Sequence, residues 1–171
     1  DCFGSNYPVV NYMVNLPNIK DNMRKKLNIP EKAVVFGGYG GKHQFNIPYV
    51  HKVIYYIAVN NPNIYFLFAN FNQFCHKLPN IIHLSMITDL HEKVCFINTC
   101  NAMIHARQIG ETFGSAVAEF SIRNKPIITC LSGDIAHLNI LKQKCFIYKD
   151  HYTLYNIFHH IHKNINTIKK N

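Results

Sequence analysis

The stretch "AVVFGGYGGKHQFNIPYVHKVIYYIAVNNPNIYFLFAN", residues 33–70, carries the pattern that decides the fold. An apolar run at 33–38 ends in glycines, which is typical of a buried strand. After a glycine-rich loop, apolar residues recur at helical spacing over 47–61, with Pro48 acceptable in a first turn. A second apolar run at 63–70 predicts another strand. This order of strand, helix and strand indicates two parallel strands joined by a crossover helix.

The same alternation continues to the end of the chain. Further strands are predicted at 80–85, 101–106, 125–130 and 145–149, and helices at 88–100, 114–124, 133–143 and 150–165. Thr88 or Asp89 is the expected N-cap of the helix at 88–100. We therefore predict an α/β, Rossmann-like fold, a parallel sheet of about six strands with helices on both faces. Residues 1–30 are expected to form a lead-in segment with a short basic helix around 21–27, and residues 31–171 the domain.

The composition excludes several classes of protein. With 171 residues, 48% apolar and 16% charged, the chain fits one globular domain. Its net charge of +9 is scattered along the sequence, so we expect no nucleic-acid partner. No apolar run approaches the ~20 residues of a transmembrane segment. The chain starts at Asp1 and shows no signal peptide, so we expect a piece of a longer protein.

Cysteine and histidine are numerous without forming a clear metal-binding pattern. The six cysteines include no C-x-x-C pair and most lie in apolar stretches, so we expect reduced thiols in an intracellular, cytoplasmic protein. His159 and His162 would share one face of a helix and could share a metal. No carboxylate or cysteine accompanies them nearby, so we prefer a polar helix face and expect no metal site.

Two glycine-rich loops follow predicted strands, at the sheet edge where ligands bind in open parallel sheets. The loop "GGYGGK" (37–42) offers glycine amides and Lys42 to an anion. It matches neither G-x-G-x-x-G nor the P-loop pattern, so a tight turn without a ligand is an equal alternative. The loop "RQIGETFGS" (107–115) leads into a helix that begins at Gly114 and Ser115. The first amides and the dipole of that helix favour a phosphate.

Two glutamates flank this helix start. Glu111 precedes the helix and Glu119 lies along it, and eight residues at helical rise would separate them by roughly 12 Å. That span resembles the reach of a nucleotide sugar from its sugar, across the diphosphate, to its ribose. One carboxylate could accept hydrogen bonds from the sugar and the other from the ribose. Alternatively, Glu119 pairs with Arg123 at i+4 and Glu111 complements the helix dipole.

The segment "HARQIGETFGSAVAEFSIRNKPIIT" (105–129) resembles the E-x7-E region of retaining glycosyltransferases of the GT-B fold, in their family-four-like group. The matching positions are Glu111, Phe113, Gly114, Glu119, Lys125 and Pro126. The segments "VVNYMVNLP" (9–17) and "VVFGGYGG" (34–41) sit where the carboxyl-terminal domain of that group begins. The resemblance covers roughly residues 8–150. It implies a donor-binding domain, one of the two domains of a GT-B enzyme.

The resemblance also implies roles for individual residues. The chain would take a nucleotide-diphosphate sugar as donor substrate, need neither metal nor cofactor, and transfer the sugar with retention to an unknown acceptor. Glu111, with Lys42 and Arg107, would serve catalysis, the two cations by stabilising the departing diphosphate. The implied donor-binding residues are Gly40, Gly41, Met86, Thr88, His105, Thr112, Phe113, Gly114, Ser115 and Glu119. Of these, Glu119 would bind the ribose, Met86 and Thr88 would lie near the base, and His105 would shape the pocket.

Two positions depart from the group, because Gly38 replaces a usual arginine and Thr112 a common glycine. The Gly38 difference favours an alternative, a non-catalytic binding module that kept the fold. An epimerase or phosphorylase that shares the GT-B fold is a third interpretation, which needs catalytic groups or a pyridoxal-binding lysine not visible here. The missing amino-terminal domain would carry the acceptor site. We therefore predict that this chain binds a nucleotide sugar but transfers nothing efficiently alone.

Overall fold

The computed structural model describes residues 13–142 and 144–168. The first part of the predicted lead-in segment, including Cys2, lies outside the described residues. Within them, one six-stranded sheet has the order β3-β2-β1-β4-β5-β6, and every neighbouring pair is parallel. The strands are β1 (Val34–Tyr39), β2 (Ile64–Ala69), β3 (Ile81–Leu84), β4 (Ala102–Ile104), β5 (Ile127–Cys130) and β6 (Cys145–Tyr148). The predicted α/β, Rossmann-like fold is confirmed.

Helices connect the strands at nearly all the predicted places: α1 (Pro48–Asn60), α2 (Leu90–Thr99), α3 (Ser115–Ile122), α4 (Ala136–Leu141) and α5 (His151–Ile168). Pro48 occupies the first turn of α1, where a missing amide hydrogen costs nothing. Asp89 is the N-cap of α2, and its carboxylate accepts a hydrogen bond from the Glu92 amide at 2.7 Å. The prediction of a helix at 133–143 was too long, because Gly133 and Asp134 belong to a loop that pairs with residues 109–111.

The sheet separates two apolar cores, which confirms that helices cover both faces. Buried residues of α1 and α5, such as Ile54 and Phe158, pack with Phe36 and Phe66 on one face. Buried residues of α2 and α3 pack on the other face. Each large side chain that leaves water in these cores stabilises the fold by about 1.5–3 kcal/mol. The central strands are apolar on both sides, as expected for a covered parallel sheet.

The segment before β1 folds as a turn where the sequence predicts a short helix at 21–27. The amide of Leu27 donates to the Met23 carbonyl, but Asn28 then adopts φ +53°, which ends the helical path after one turn. The buried guanidinium of Arg24 donates to the carbonyls of residues 30, 31, 33 and 99 and to the Asn101 side chain. This turn is therefore tied to the amino ends of β1 and β4.

Successive strands are added toward one edge of the sheet from β1 to β3 and toward the other edge from β4 to β6, so the switch point lies between β1 and β4. Two glycines of β1 permit close packing there. A Cβ on Gly37 would lie 2.3 Å from the Cys100 Sγ, and one on Gly38 would lie 2.7 Å from the Ile104 carbonyl oxygen. Neither position has room for a side chain. Gly38 therefore serves strand packing. Ligands of doubly wound sheets bind at the carboxyl ends of strands at such a switch point.

Candidate functional site

A cavity of about 370 Å³ lies at the carboxyl ends of β1 and β4. The loop after β1 lines it with Gly40 and Gln44, and the segment after β4 lines it with His105, Arg107 and Glu111. The start of α3 contributes Gly114, Ser115, Ala116 and Val117, and the α2 region contributes Thr88 and Lys93. The fold therefore brings seven predicted site residues to one cavity: Gly40, Thr88, His105, Arg107, Glu111, Gly114 and Ser115.

Glu111 presents an ionised carboxylate among cationic and imidazole partners. The Arg107 guanidinium donates to Glu111 Oε2 at 2.8 Å, and His105 Nε2 lies 3.5 Å from Oε1. Burial acts to raise the pKa of Glu111, but its contacts with His105 and Arg107 outweigh burial and hold the pKa below its ordinary value. A carboxylate of low pKa accepts hydrogen bonds and stabilises positive charge, and it is a poor proton acceptor in catalysis. Glu111 is suited to hold hydroxyl groups.

The loop that carries Glu111 is fixed by the β5–α4 connection. The amide of Glu111 donates to the Asp134 carbonyl at 2.7 Å, and the Asp134 amide donates to the Ile109 carbonyl at 2.9 Å. Both Gly110 (φ +71°) and Gly133 (φ +62°) take left-handed backbone at this crossing. A Cβ on Gly110 would lie 2.0 Å from the Asp134 carbonyl oxygen, so only glycine allows the two backbones to meet.

The amino terminus of α3 opens into the same cavity. Its N-cap is Gly114, at φ +77°, which has no side chain to cap the first amides of the helix. Ser115, Ala116 and Val117, the first three residues of α3, line the cavity. Unpaired helix amides and the positive end of the helix dipole bind anions such as phosphate. The prediction that a helix begins at Gly114 and Ser115, after the Glu111 loop, is confirmed.

Glu119 does not line this cavity, but it pairs with a residue that does. The Lys93 ammonium donates to Glu119 Oε1 at 3.2 Å and lies 5.7 Å from the centre of the Tyr39 ring. Burial raises the pKa of Glu119 above its ordinary value even beside this cation. The alternative pairing with Arg123 does not occur, because Arg123 donates to Asn98 and to the Ile19 carbonyl.

Lys93 is the functional candidate that the sequence does not reveal. It lies in a helix that the sequence predicts, but its partner Glu119 is 26 residues away, on α3. A local pattern carries no signal for such a contact. Residues 111–114 precede α3, so the estimate of about 12 Å from eight helical residues does not describe the separation of the two glutamates.

The first glycine-rich loop contributes less than the sequence suggests. Gln44 closes this loop on itself, because the Gly41 amide donates to Gln44 Oε1 at 2.7 Å and the Gln44 amide donates to the Gly41 carbonyl at 2.9 Å. Gly41 therefore has no free amide for an anion. Lys42 is exposed and lies outside the cavity lining. Of the three residues predicted in this loop, only Gly40 lines the cavity.

Three further predicted residues also lie outside the cavity lining. Met86 is exposed and borders a separate surface depression with Met23 and Lys26. Thr112 is exposed, and Phe113 lines a different cleft between α3 and α4. The roles predicted for all these residues stay predictions.

The chain resembles solved glycosyltransferases in fold. HepE of Anabaena, solved in complex with UDP-glucose, superposes with a TM-score of 0.66 at 13% identity, over 84% of this chain and 43% of that protein. Sucrose-phosphate synthase of Thermosynechococcus elongatus gives 0.62 at 15% identity, over 84% and 40%. WaaG, a glycosyltransferase involved in lipopolysaccharide biosynthesis, gives 0.62 at 12% identity, over 87% and 43%.

These matches show the fold alone, since the identities are low, and the chain spans less than half the length of each of the three proteins. No protein-family model and no curated protein sequence matches the chain. The shared architecture agrees with the GT-B resemblance, while the E-x7-E assignment rests on the sequence.

Among residues 13–142 and 144–168, no helix is long and apolar enough to cross a bilayer. The same residues bring together no group of three or more histidine, cysteine or acidic side chains that could hold a metal ion. In the helix where we considered a shared metal, His159 packs against the Tyr155 ring, with centroids 4.4 Å apart.

Proposed function

We propose that this chain is the donor-binding domain of a retaining, metal-independent glycosyltransferase that uses a nucleotide-diphosphate sugar. One observation carries the proposal: Glu111, Arg107 and the uncapped start of α3 share one cavity at the switch point of a Rossmann-like sheet. A carboxylate for hydroxyls beside a site for phosphates is what a sugar diphosphate requires. The fold neighbours support the proposal, because HepE was solved with UDP-glucose.

The proposed pose places the diphosphate at the amides of Ser115 and Ala116, with Arg107 beside it. The donor sugar lies against Glu111. The ribose hydroxyls lie toward Lys93 and Glu119, because Lys93 links that carboxylate to the cavity. The base lies toward Thr88. This pose keeps the order of contacts that the resemblance implies and adds Lys93.

The proposed chemistry is cleavage of the bond between the anomeric carbon and the phosphate oxygen. Negative charge then grows on the departing diphosphate and positive charge on the sugar ring. Arg107 and the amides of α3 stabilise the diphosphate, and the Glu111 carboxylate stabilises the cationic ring. These groups supply the required charges without a metal. The acceptor site belongs to a second domain, so we expect this chain alone to bind the donor and to transfer it inefficiently.

A non-catalytic binding module is the second candidate. The observations that favour it are the exposed position of Lys42 and the closure of its loop by Gln44, which remove one source of phosphate contacts. The presence of Glu111 and Glu119 at matching positions favours the enzyme. Transfer by the intact protein that is lost on Glu111→Gln, with donor binding kept, would identify the enzyme. Unchanged biological function in that variant would identify the module.

Calorimetric titration of this chain with UDP-, GDP- and ADP-glucose tests the proposal. We expect one nucleotide to bind preferentially, and Arg107→Gln to weaken binding by about 10- to 100-fold, the loss of one charge-assisted hydrogen bond. Glu119→Gln should weaken binding of the nucleotide sugar in the same direction. Lys52→Gln removes an exposed charge from α1, outside the cavity, and should leave binding unchanged. Equal binding by wild type and Arg107→Gln would contradict the proposed site.

A further inference from the structure

A network of three buried polar side chains, His105, Thr129 and His137, lies directly behind Glu111. His105 Nδ1 and Thr129 Oγ1 are 3.0 Å apart, and Thr129 Oγ1 and His137 Nε2 are also 3.0 Å apart. His137 Nδ1 then lies 3.3 Å from the carbonyl oxygen of Glu111. Thr129 is fully buried, while His105 and His137 are only 7% and 1% exposed. The network begins at the Glu111 carboxylate, runs through His105, Thr129 and His137, and ends at the backbone carbonyl of Glu111.

The proton on each nitrogen and oxygen of this network determines which group donates and which accepts. His137 Nδ1 faces a carbonyl oxygen, so it must carry a proton, and burial lowers the pKa of His137, which favours the neutral ring. His137 Nε2 is then an acceptor, and the Thr129 hydroxyl donates to it. The Thr129 oxygen in turn accepts from His105 Nδ1. The other ring nitrogen, His105 Nε2, faces the Glu111 carboxylate at 3.5 Å.

We propose that Thr129 and His137 are positioning residues that hold His105, and through it the Glu111 carboxylate, in the orientation that receives the donor sugar. The proposal rests on the proposed function of the cavity. The Tyr148 hydroxyl supports the same arrangement, because it donates to the His105 carbonyl at 2.8 Å and fixes the backbone of that residue. His105 can then turn neither its ring nor its main chain away from Glu111.

The inferred direction explains an unusual feature of this part of the fold. A buried histidine without a good hydrogen bond is costly, and His105 Nε2 has no hydrogen-bond partner at good geometry. The Glu111 carboxylate lies 3.5 Å from this nitrogen. Because His105 Nδ1 is hydrogen-bonded to Thr129, the other ring nitrogen, Nε2, points toward Glu111 and the cavity. A bound sugar hydroxyl or the carboxylate itself can complete that contact.

Three variants isolate the Thr129 hydroxyl. Thr129→Val keeps the shape of the side chain and removes the hydroxyl, while Thr129→Ser keeps it. Thr99→Val is the matched control, because Thr99 is also fully buried and its hydroxyl bonds to the backbone of Met23 and Cys95, away from the cavity. Both valine variants lose two buried hydrogen bonds and should lose comparable stability. Only Thr129→Val should change the site.

Nitrogen-15 NMR of the histidine rings measures which ring nitrogens of His105 and His137 carry protons, and it needs no ligand. We expect a neutral His137 with its proton on Nδ1 and a His105 ring with a proton on Nδ1, directed at Thr129. Thr129→Val should shift both sets of signals and raise the pKa of Glu111 measured from its side-chain carboxyl carbon. Thr129→Ser should restore the wild-type values, and Thr99→Val should leave them unchanged. A His137 proton on Nε2, or signals that do not respond to Thr129→Val, would overturn the proposal.

Binding then tests the consequence for the site. The probe is whichever of UDP-, GDP- and ADP-glucose binds most tightly to the wild-type chain. We expect Thr129→Val to weaken it about tenfold, with recovery in Thr129→Ser. An unchanged Kd in a folded Thr129→Val variant would overturn the positioning role. If no nucleotide sugar binds the wild type, the proposed function fails, while the histidine and carboxyl signals still decide whether Thr129 and His137 hold Glu111.

Discussion

The ion pair between Lys93 and Glu119 should be energetically coupled, unlike a surface pair of the same chain. The two side chains retain 27% and 14% of their exposure and lie 3.2 Å apart. At an effective dielectric constant near 20, the Coulomb attraction at this distance is about 5 kcal/mol before the cost of desolvation. The Lys26–Glu92 pair is 3.5 Å apart but 71% and 42% exposed. In water its attraction is about 1 kcal/mol and is largely offset by entropy and salt.

The desolvation cost of burying Lys93 and Glu119 offsets most of their Coulomb attraction, so the net coupling energy is far smaller than 5 kcal/mol. We expect about 1–2 kcal/mol for Lys93–Glu119 and less than about 0.5 kcal/mol for Lys26–Glu92. Lys93→Met leaves a half-buried carboxylate without its cation, so this single change should cost about 1–3 kcal/mol at pH 7. The cost should shrink as pH falls through the raised pKa of Glu119, because the protonated carboxyl needs no cation.

Urea denaturation of a double-mutant cycle measures this coupling. The variants are Lys93→Met, Glu119→Gln and the double variant, and the matched cycle is Lys26→Met, Glu92→Gln and their combination. A coupling energy for Lys93–Glu119 no larger than that for Lys26–Glu92 would refute the argument that burial makes this pair different. A cost of Lys93→Met that does not depend on pH would refute the role given to the carboxylate.

Three further outcomes follow from the site and its supports. Arg107→Gln should raise the pKa of Glu111, measured by carboxyl carbon NMR. Because the pKa of Glu111 is lower in the folded than in the unfolded chain, its ionised carboxylate stabilises the fold above about pH 4.5, and this stabilisation fades as pH falls. The stabilisation should be smaller in the variant. An unchanged Glu111 pKa would contradict it. Gly110→Ala should lower stability by about 1–3 kcal/mol or prevent folding, whereas Gly41→Ala, on an exposed loop without positive φ, should cost little in the same thermal melts. Equal melting temperatures for the two glycine variants would contradict the crossing argument. Arg24→Met should destabilise the chain by about 2–4 kcal/mol in urea, since it leaves several buried carbonyls without a donor, and a loss below about 0.5 kcal/mol would contradict its role.

Local sequence signals predicted the sheet and most of its helices because each element carries its own periodicity and end signals. Pro48 and Asp89 fall at helix starts for reasons that lie within a few residues. One of the errors arose where distant contacts decide the backbone. Residues 133–135 were predicted as helix, but Asp134 forms backbone hydrogen bonds with Ile109 and Glu111, which makes this segment a loop. The error at residues 21–27 has a local cause, because Asn28 takes left-handed backbone and ends the helical path after one turn.

The site divides in the same way. The loop from Arg107 to Ser115 is continuous in sequence, and the strand–loop–helix pattern places it at the sheet edge. Lys93, Thr129 and His137 come from separate elements, and only the folded chain brings them toward the glutamates. Gly38 shows the limit of comparison by position, because sequence comparison suggests a missing arginine, while the structure shows a strand packed too closely for any side chain.

We propose above that the cavity at the carboxyl ends of β1 and β4 receives a nucleotide sugar with its diphosphate at the start of α3. Amide NMR of the nitrogen-15-labelled chain, titrated with UDP-, GDP- and ADP-glucose, tests it most directly. The account predicts that one of them produces its largest shifts at Ser115, Ala116 and Gly40, and smaller shifts in α5. Largest shifts away from the cavity, or no response to any of the three by a folded chain, would contradict it.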